Sequence, residues 1–101
     1  MRQFIEDNFR HQKNPSGYAE LLHISTSALG KMVKKRFGKT LTQMIQERIV
    51  IEAKRDLVLT GKLVKEIAND LGYNDPYYFS RIFKKSTTVS PEEFRLRYKL
   101  T

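Results

Sequence analysis

Ser27, Lys31 and Lys34 are separated by four and then three residues, and Tyr77, Arg81 and Lys84 repeat that spacing fifty positions later. At 100° per residue each triplet falls along one side of a helix, with Gly30 and Ser80 at the flank. These side chains offer hydroxyl, ammonium and guanidinium donors, and neither stripe contains an acid. Such groups suit the recognition of an anionic, acceptor-rich surface. The whole chain shares the bias: nineteen Lys plus Arg against eleven Asp plus Glu leave a net charge of +8 in 101 residues. That charge favours a polyanion, and nucleic acid is the expected one.

Bond-breaking chemistry finds little to work with. Absence of Cys removes disulfides, thiol catalysis and Cys-based zinc sites, and His11 and His23 alone make a poor ligand set. Neither a Gly-rich phosphate loop nor a paired-acid constellation stands out, so no enzyme, metal or cofactor is expected. The chain has room for one compact domain, or two very small ones sharing a helix, but not for a large separate catalytic domain. Its start turns acidic at Glu6-Asp7 without a signal peptide's apolar stretch, and no apolar run is long enough to span a bilayer. A soluble, cytoplasmic protein is expected.

The stripes need helices to carry them, and almost every apolar residue falls at helical spacing. The expected fold class is all α. Phe4, Ile5 and Phe9 mark a first helix that stops before Asn14-Pro15, since a residue preceding proline avoids the α region. A second helix covers about Tyr18 to Leu22. Ser25 caps a third, with Leu29, Met32, Val33 and Phe37 on its buried side and Gly38 at its end. Thr40 and Gln43 form a capping box for a long helix from Leu41 to Leu59, about 28 Å at 1.5 Å per residue, with Gly61 as its stop. A fifth helix spans about Leu63 to Leu71, Asp75-Pro76 opens a sixth through about Ser86, and Ser90-Pro91-Glu92-Glu93 starts a seventh.

The second half repeats the first. Ala19, Leu22 and Ile24 recur 49 residues later as Ala68, Leu71 and Tyr73, preserving a small residue, a buried anchor and an apolar turn residue. After one extra residue, Leu29, Met32, Val33, Lys34 and Lys35 recur as Phe79, Ile82, Phe83, Lys84 and Lys85, and Thr40 with Gln43 recurs as Ser90 with Glu93. A small residue such as Ala19 or Ala68 lets two helices approach across a tight turn. The chain therefore reads as two helix-turn-helix subdomains, residues 1–39 and 61–101, joined by a connector helix at 40–60.

The run Ile67-Ala68-Asn69-Asp70-Leu71-Gly72-Tyr73-Asn74-Asp75-Pro76-Tyr77-Tyr78-Phe79-Ser80-Arg81-Ile82-Phe83-Lys84-Lys85, followed by Ser90-Pro91 and Phe94-Arg95, resembles the AraC/XylS family of transcription regulators. The likeness extends back through Glu52-Ala53-Lys54-Arg55, Glu47-Arg48, Gly38 and Lys34-Lys35. It implies a seven-helix DNA-binding domain whose long middle helix holds two helix-turn-helix units, each placing its last helix in the major groove. Adjacent groove faces lie about 34 Å apart, a distance that the connector plus the width of a helix is expected to span. The family's base-facing positions fall on Thr26, Ser27, Gly30 and Lys31 in the first unit and on Pro76, Tyr77, Ser80 and Arg81 in the second. Arg81 is the foremost candidate for base readout, because its planar fork can bond two acceptors of guanine. Lys31 can reach guanine or a phosphate, Tyr77 a thymine methyl or a phosphate, while Lys34 and Lys84 lie beside the readout positions. Tyr78 projects to the flank, where packing and backbone contact are both open to it.

Departures from the family pattern also carry expectations. Val33 and Met44 stand where aromatics are common, which suggests a looser first unit. Gly30 costs about 1 kcal/mol relative to Ala and offers no side chain for readout. Thr88 replaces the usual glycine where a left-handed backbone is expected, so strain or a different turn should follow. An alternative reading is a basic helical module that binds RNA, although no aromatic-bearing sheet supports it. Another is a protein-binding module using Glu47, Glu52, Asp56, Lys54 and Arg55, a mixed-charge face expected to be solvent-exposed. Regulators of this kind commonly contact RNA polymerase, a further possible partner, and carry a separate sensing or dimerisation domain. That domain is missing from these residues, which leaves an excised C-terminal fragment or a stand-alone regulator; a first helix starting almost immediately after Met1 favours the fragment, and activation and repression both stay open.

Overall fold

Proline and short polar side chains set most of the helix starts. In the computed structural model, which describes residues 1–99, seven helices follow one another: α1 (Arg2–Asn8), α2 (Pro15–Leu21), α3 (Thr26–Phe37), α4 (Leu41–Leu59), α5 (Val64–Asp70), α6 (Pro76–Thr87) and α7 (Pro91–Tyr98). No strand occurs among the described residues. Residues 100 and 101, the last two of the expected second subdomain, lie outside them. Contacts within the chain group into two units, Met1–Arg48 and a second from Ile49 onward, so the division falls inside α4.

In the first unit α2 begins earlier than the sequence suggests. Asn14-Pro15 was expected only to stop the first helix, yet it also starts the second: Asn14 accepts a hydrogen bond from the Ser16 N–H at 3.1 Å, and Pro15 takes the first helical position, where its missing N–H costs nothing. Ser25 caps α3 by accepting from Ala28 N–H at 3.0 Å. The box before α4 is complete, with Thr40 N–H donating to Gln43 Oε1 at 2.8 Å and Gln43 N–H to Thr40 Oγ1 at 3.1 Å. Ile5, Phe9, Tyr18, Ala19, Leu29, Val33, Leu41, Met44 and Ile45 form the core. Tyr18 is fully buried and its hydroxyl donates to the Gln12 carbonyl at 2.8 Å, while burial raises its pKa. Arg48 stacks over Phe9 at 4.6 Å and donates to both carboxylate oxygens of Glu6, which holds the Glu6 carboxyl below its ordinary pKa.

The second unit buries Ile67, Ala68, Leu71, Tyr73, Phe79 and Phe83 with Ile49, Val50, Ala53 and Leu57 of α4. Its rings form a continuous run: Tyr73 lies 5.7 Å from Phe79, Phe79 6.2 Å from Phe83, and Phe83 5.5 Å edge-on to Phe94. The end of α4 is closed differently from expectation. Gly61 is absent from the left-handed positions and provides no cap of that kind. Instead Thr60 Oγ1 donates to the Asp56 carbonyl at 2.7 Å, and the Arg95 guanidinium donates to the carbonyls of Leu57 and Thr60 at 3.2 and 3.3 Å. A cation is favourable there, where a helix leaves its last carbonyls without backbone partners. Glu52, expected on a solvent face, is 8% exposed, so the mixed-charge surface of α4 does not include it. No buried side-chain nitrogen or oxygen among the described residues lacks a hydrogen-bond partner.

Candidate nucleic-acid interface

Each unit turns between its second and third helices by the same backbone device. In the first, Ile24 N–H donates to the Ala19 carbonyl at 3.1 Å and His23 N–H to Glu20 at 3.1 Å. In the second, Tyr73 N–H donates to Ala68 at 2.9 Å and Gly72 N–H to Asn69 at 2.9 Å. This paired pattern ends a helix through a residue in the left-handed region, and the residues concerned are His23, φ 58°, and Gly72, φ 91°. The left-handed His23 was not foreseen. The repeat offset of 49 would have found it, because it sets His23 opposite Gly72.

The helices that follow, α3 and α6, are each twelve residues long and end at left-handed residues, Gly38 with φ 73° and Thr88 with φ 71°. The strained geometry expected at Thr88 is present. In α3, Leu29 and Val33 are buried and Thr26, Ser27, Gly30, Lys31 and Lys34 are all exposed. Met32 is the exception to the projected pattern. It was expected in the core, but it is 60% exposed, at a hollow that it lines with Leu22, Arg36 and Phe37. Leu22 is half-buried rather than a full anchor. A methyl group added at Gly30 would meet nothing within 4 Å. The Lys34 ammonium donates to the Gly38 carbonyl at 3.3 Å, at its own helix end, and Lys31 is the other cation of that stripe.

In α6, Phe79 and Phe83 are fully buried, Ile82 is half-buried, and Tyr77, Arg81 and Lys84 are exposed on the opposite side, Tyr77 at 77%. Pro76 and Ser80 are half-buried at the edges of that stripe. Asp75 caps the helix by accepting from Tyr77 N–H at 2.9 Å, which consumes an oxygen of the nearest acid. Tyr78 packs 5.9 Å from Tyr73, and the Arg81 guanidinium carbon lies 5.7 Å from the centre of the Tyr78 ring. Burial, followed by the neighbouring Tyr78, pushes the Tyr73 phenol up to about 12. No group of three or more His, Cys, Asp or Glu among the described residues is placed to hold a metal ion. No helix among them is long and apolar enough to cross a membrane.

Two basic, acid-free helix faces, each presented by a helix-turn-helix, define a DNA-binding domain of a transcription regulator. Residues 18–97 match the helix-turn-helix domain family, and the chain belongs to it as an AraC/XylS-type member. It is 35% identical over 92 residues to an uncharacterised helix-turn-helix transcriptional regulator of Pseudoalteromonas carrageenovora, covering 91% of this chain and 54% of that protein. It is 29% identical over 94 residues to the arabinose operon regulatory protein of Escherichia coli, covering 92% of this chain and 32% of that one. The chain thus spans about half, or less, of the length of these curated relatives. Among solved structures, the C-terminal domain of AraT, a response regulator from Geobacillus stearothermophilus, superposes with a TM-score of 0.93 at 30% identity, covering 99% of this chain and 84% of that one. The family is one of DNA-binding domains rather than of enzymes.

Proposed function

We propose that this chain binds duplex DNA in a sequence-specific manner as the DNA-reading part of a cytoplasmic transcription regulator. It inserts α3 and α6 into adjacent segments of the major groove. The observation that carries the reading is the outward face of α6, where Tyr77, Arg81 and Lys84 stand exposed directly opposite the buried Phe79 and Phe83. A recognition helix requires this division, with one side anchored and the other free to enter a groove about 12 Å wide.

Within that face, Arg81 bonds the two acceptors of a guanine, Tyr77 and Ser80 contact neighbouring groups, and Lys84 neutralises a phosphate. The first unit reads less, because Gly30 presents no side chain and Lys34 is engaged by Gly38. There Ser27 and Lys31 contact the DNA, with Thr26 at the start of the helix. RNA polymerase and a sensing or dimerisation domain belong to the proposal as partners of the intact regulator.

Selection from a pool of duplexes with a randomised segment tests the reading. Enrichment of a motif covering two successive groove segments is the expected result, and an unenriched pool, or preferential capture of a structured RNA competitor, would overturn it. Binding should weaken steeply with salt as Lys and Arg displace condensed counterions, and Lys84→Ala should reduce the slope by about one.

A further inference from the structure

Arg81 projects from α6 on a long side chain with many rotamers, and a flexible guanidinium loses freedom when it is fixed against a base. An aromatic ring lies beside it. The guanidinium carbon lies 5.7 Å from the centre of the Tyr78 ring, three residues back and therefore a neighbour on the helix surface. Tyr78 is 47% exposed, and its ring also stands 5.9 Å from that of Tyr73, which is 7% exposed and seated in the turn. Tyr73 in turn touches Phe79, and the run continues through Phe83 to Phe94. The guanidinium thus lies over the outermost ring of a run of tilted and edge-on rings rooted in the core.

The first unit has no such arrangement. At the matching positions Lys31 follows Ala28, and Ile24 takes the place of Tyr73. An ammonium over a methyl group has no ring face to rest on.

We propose that Tyr78 is a positioning residue for base selection. Its ring, held by Tyr73, orients the Arg81 guanidinium before DNA arrives and so sharpens the preference at the base pair that Arg81 reads. The inference rests on the assignment of Arg81 as a base reader. A cation over an exposed aromatic face is a weak contact, so the expected effect is modest, about a two- to fivefold change in discrimination. It should appear in selectivity and not in general affinity, because Tyr78 carries no charge.

The experiment uses the full chain and the tightest duplex selected from a randomised pool, together with versions of it substituted at each base pair in turn. Tyr78→Leu is expected to reduce discrimination at one base pair about two- to fivefold while binding to a random duplex stays unchanged, and Tyr78→Phe is expected to retain it. In an Arg81→Ala background, Tyr78→Leu should add nothing. Circular dichroism melts of the variants establish that each is folded.

If Tyr78→Leu leaves discrimination intact while Arg81→Ala abolishes it at one base pair, the positioning role is overturned and Arg81 still reads. If the two substitutions add, Tyr78 acts on DNA directly and the proposal also fails. If Arg81→Ala itself leaves every preference in place, the assignment of Arg81 beneath the proposal is what has failed.

Discussion

The two units follow one backbone plan with different fillings. Both carry a small residue, Ala19 or Ala68, before the turn, and both make the same pair of turn hydrogen bonds and follow the turn with a capped twelve-residue helix. Where the second unit buries Leu71 and Tyr73 and half-buries Ile82, the first leaves Leu22 half-buried, Ile24 37% exposed and Met32 60% exposed. A hollow of about 380 Å³, lined in part by Leu22, Met32, Val33 and Phe37, lies on this side of α3. The plan is therefore set by caps, small residues and left-handed turns, whereas the quality of packing depends on side-chain size. The units also exchange their glycines. The first has His23 at the turn and Gly38 at the end of α3, and the second has Gly72 at the turn and Thr88 at the end of α6.

The largest test of this contrast is in the cores. Phe83→Ala removes a fully buried ring that touches Phe79 and Phe94, and should destabilise the chain by about 3 to 5 kcal/mol in a denaturant titration. Met32→Ala, at the position that matches the half-buried Ile82 rather than Phe83, should cost under about 1 kcal/mol, because most of that side chain is already in water. Equal losses would show that α3 is covered on that side in solution.

Readout provides the next. Arg81→Ala should cost about 1 to 3 kcal/mol on the selected duplex, and much less on random duplex. Arg81→Lys should restore the non-specific part but little of the preference. Lys31→Ala should act on both duplexes alike, so a matching loss of preference there would make the units equal readers.

Two backbone substitutions sharpen the comparison at smaller scale. Gly30→Ala adds a methyl group into open space within a helix and should stabilise the fold by up to about 1 kcal/mol, measured as a raised denaturation midpoint. An unchanged midpoint would show that helix propensity in α3 does not limit stability. Thr88→Gly relieves a β-branched residue at φ 71° and should stabilise by about 0.5 to 1 kcal/mol. His23→Gly should gain less, since histidine tolerates this region better than threonine, and the reverse order would refute the strain argument.

Much of this arrangement was legible beforehand, for identifiable reasons. Caps are local chemistry, so Ser25, Thr40 with Gln43, and Ser90 could be placed from neighbouring residues alone. The repeat supplied second copies of the small residue, the helix face and the cap, though not of the left-handed turn residue, and a helical projection put Arg81 and Lys84 opposite Phe79 and Phe83. A projection, however, names the side of a helix without saying whether anything covers it, which is why Met32 and Leu22 were assigned too deep. Glu52 failed for the converse reason: a carboxylate in a charged stretch reads as solvated unless its neighbours in space are known. Asn14-Pro15 was legible as a break, but the same two residues can end one helix and start the next. The Tyr73–Tyr78–Arg81 cluster depends on ring orientations that residue types do not convey.

The bonds from Arg95 to Leu57 and Thr60 join residues 38 and 35 apart, and the pair between Arg48 and Glu6 spans 42. Most other side-chain bonds among the described residues link positions two to eight apart. Closing a long stretch of chain loses entropy before the closing contact can return anything, and contacts of wide sequence separation slow folding for that reason. In kinetic terms, each unit is a loop tied near its ends by a guanidinium. Local turns and caps are therefore expected to form before the arginine ties, an order that φ-values near zero for Arg48→Ala and Arg95→Ala would bear out and values near one would refute.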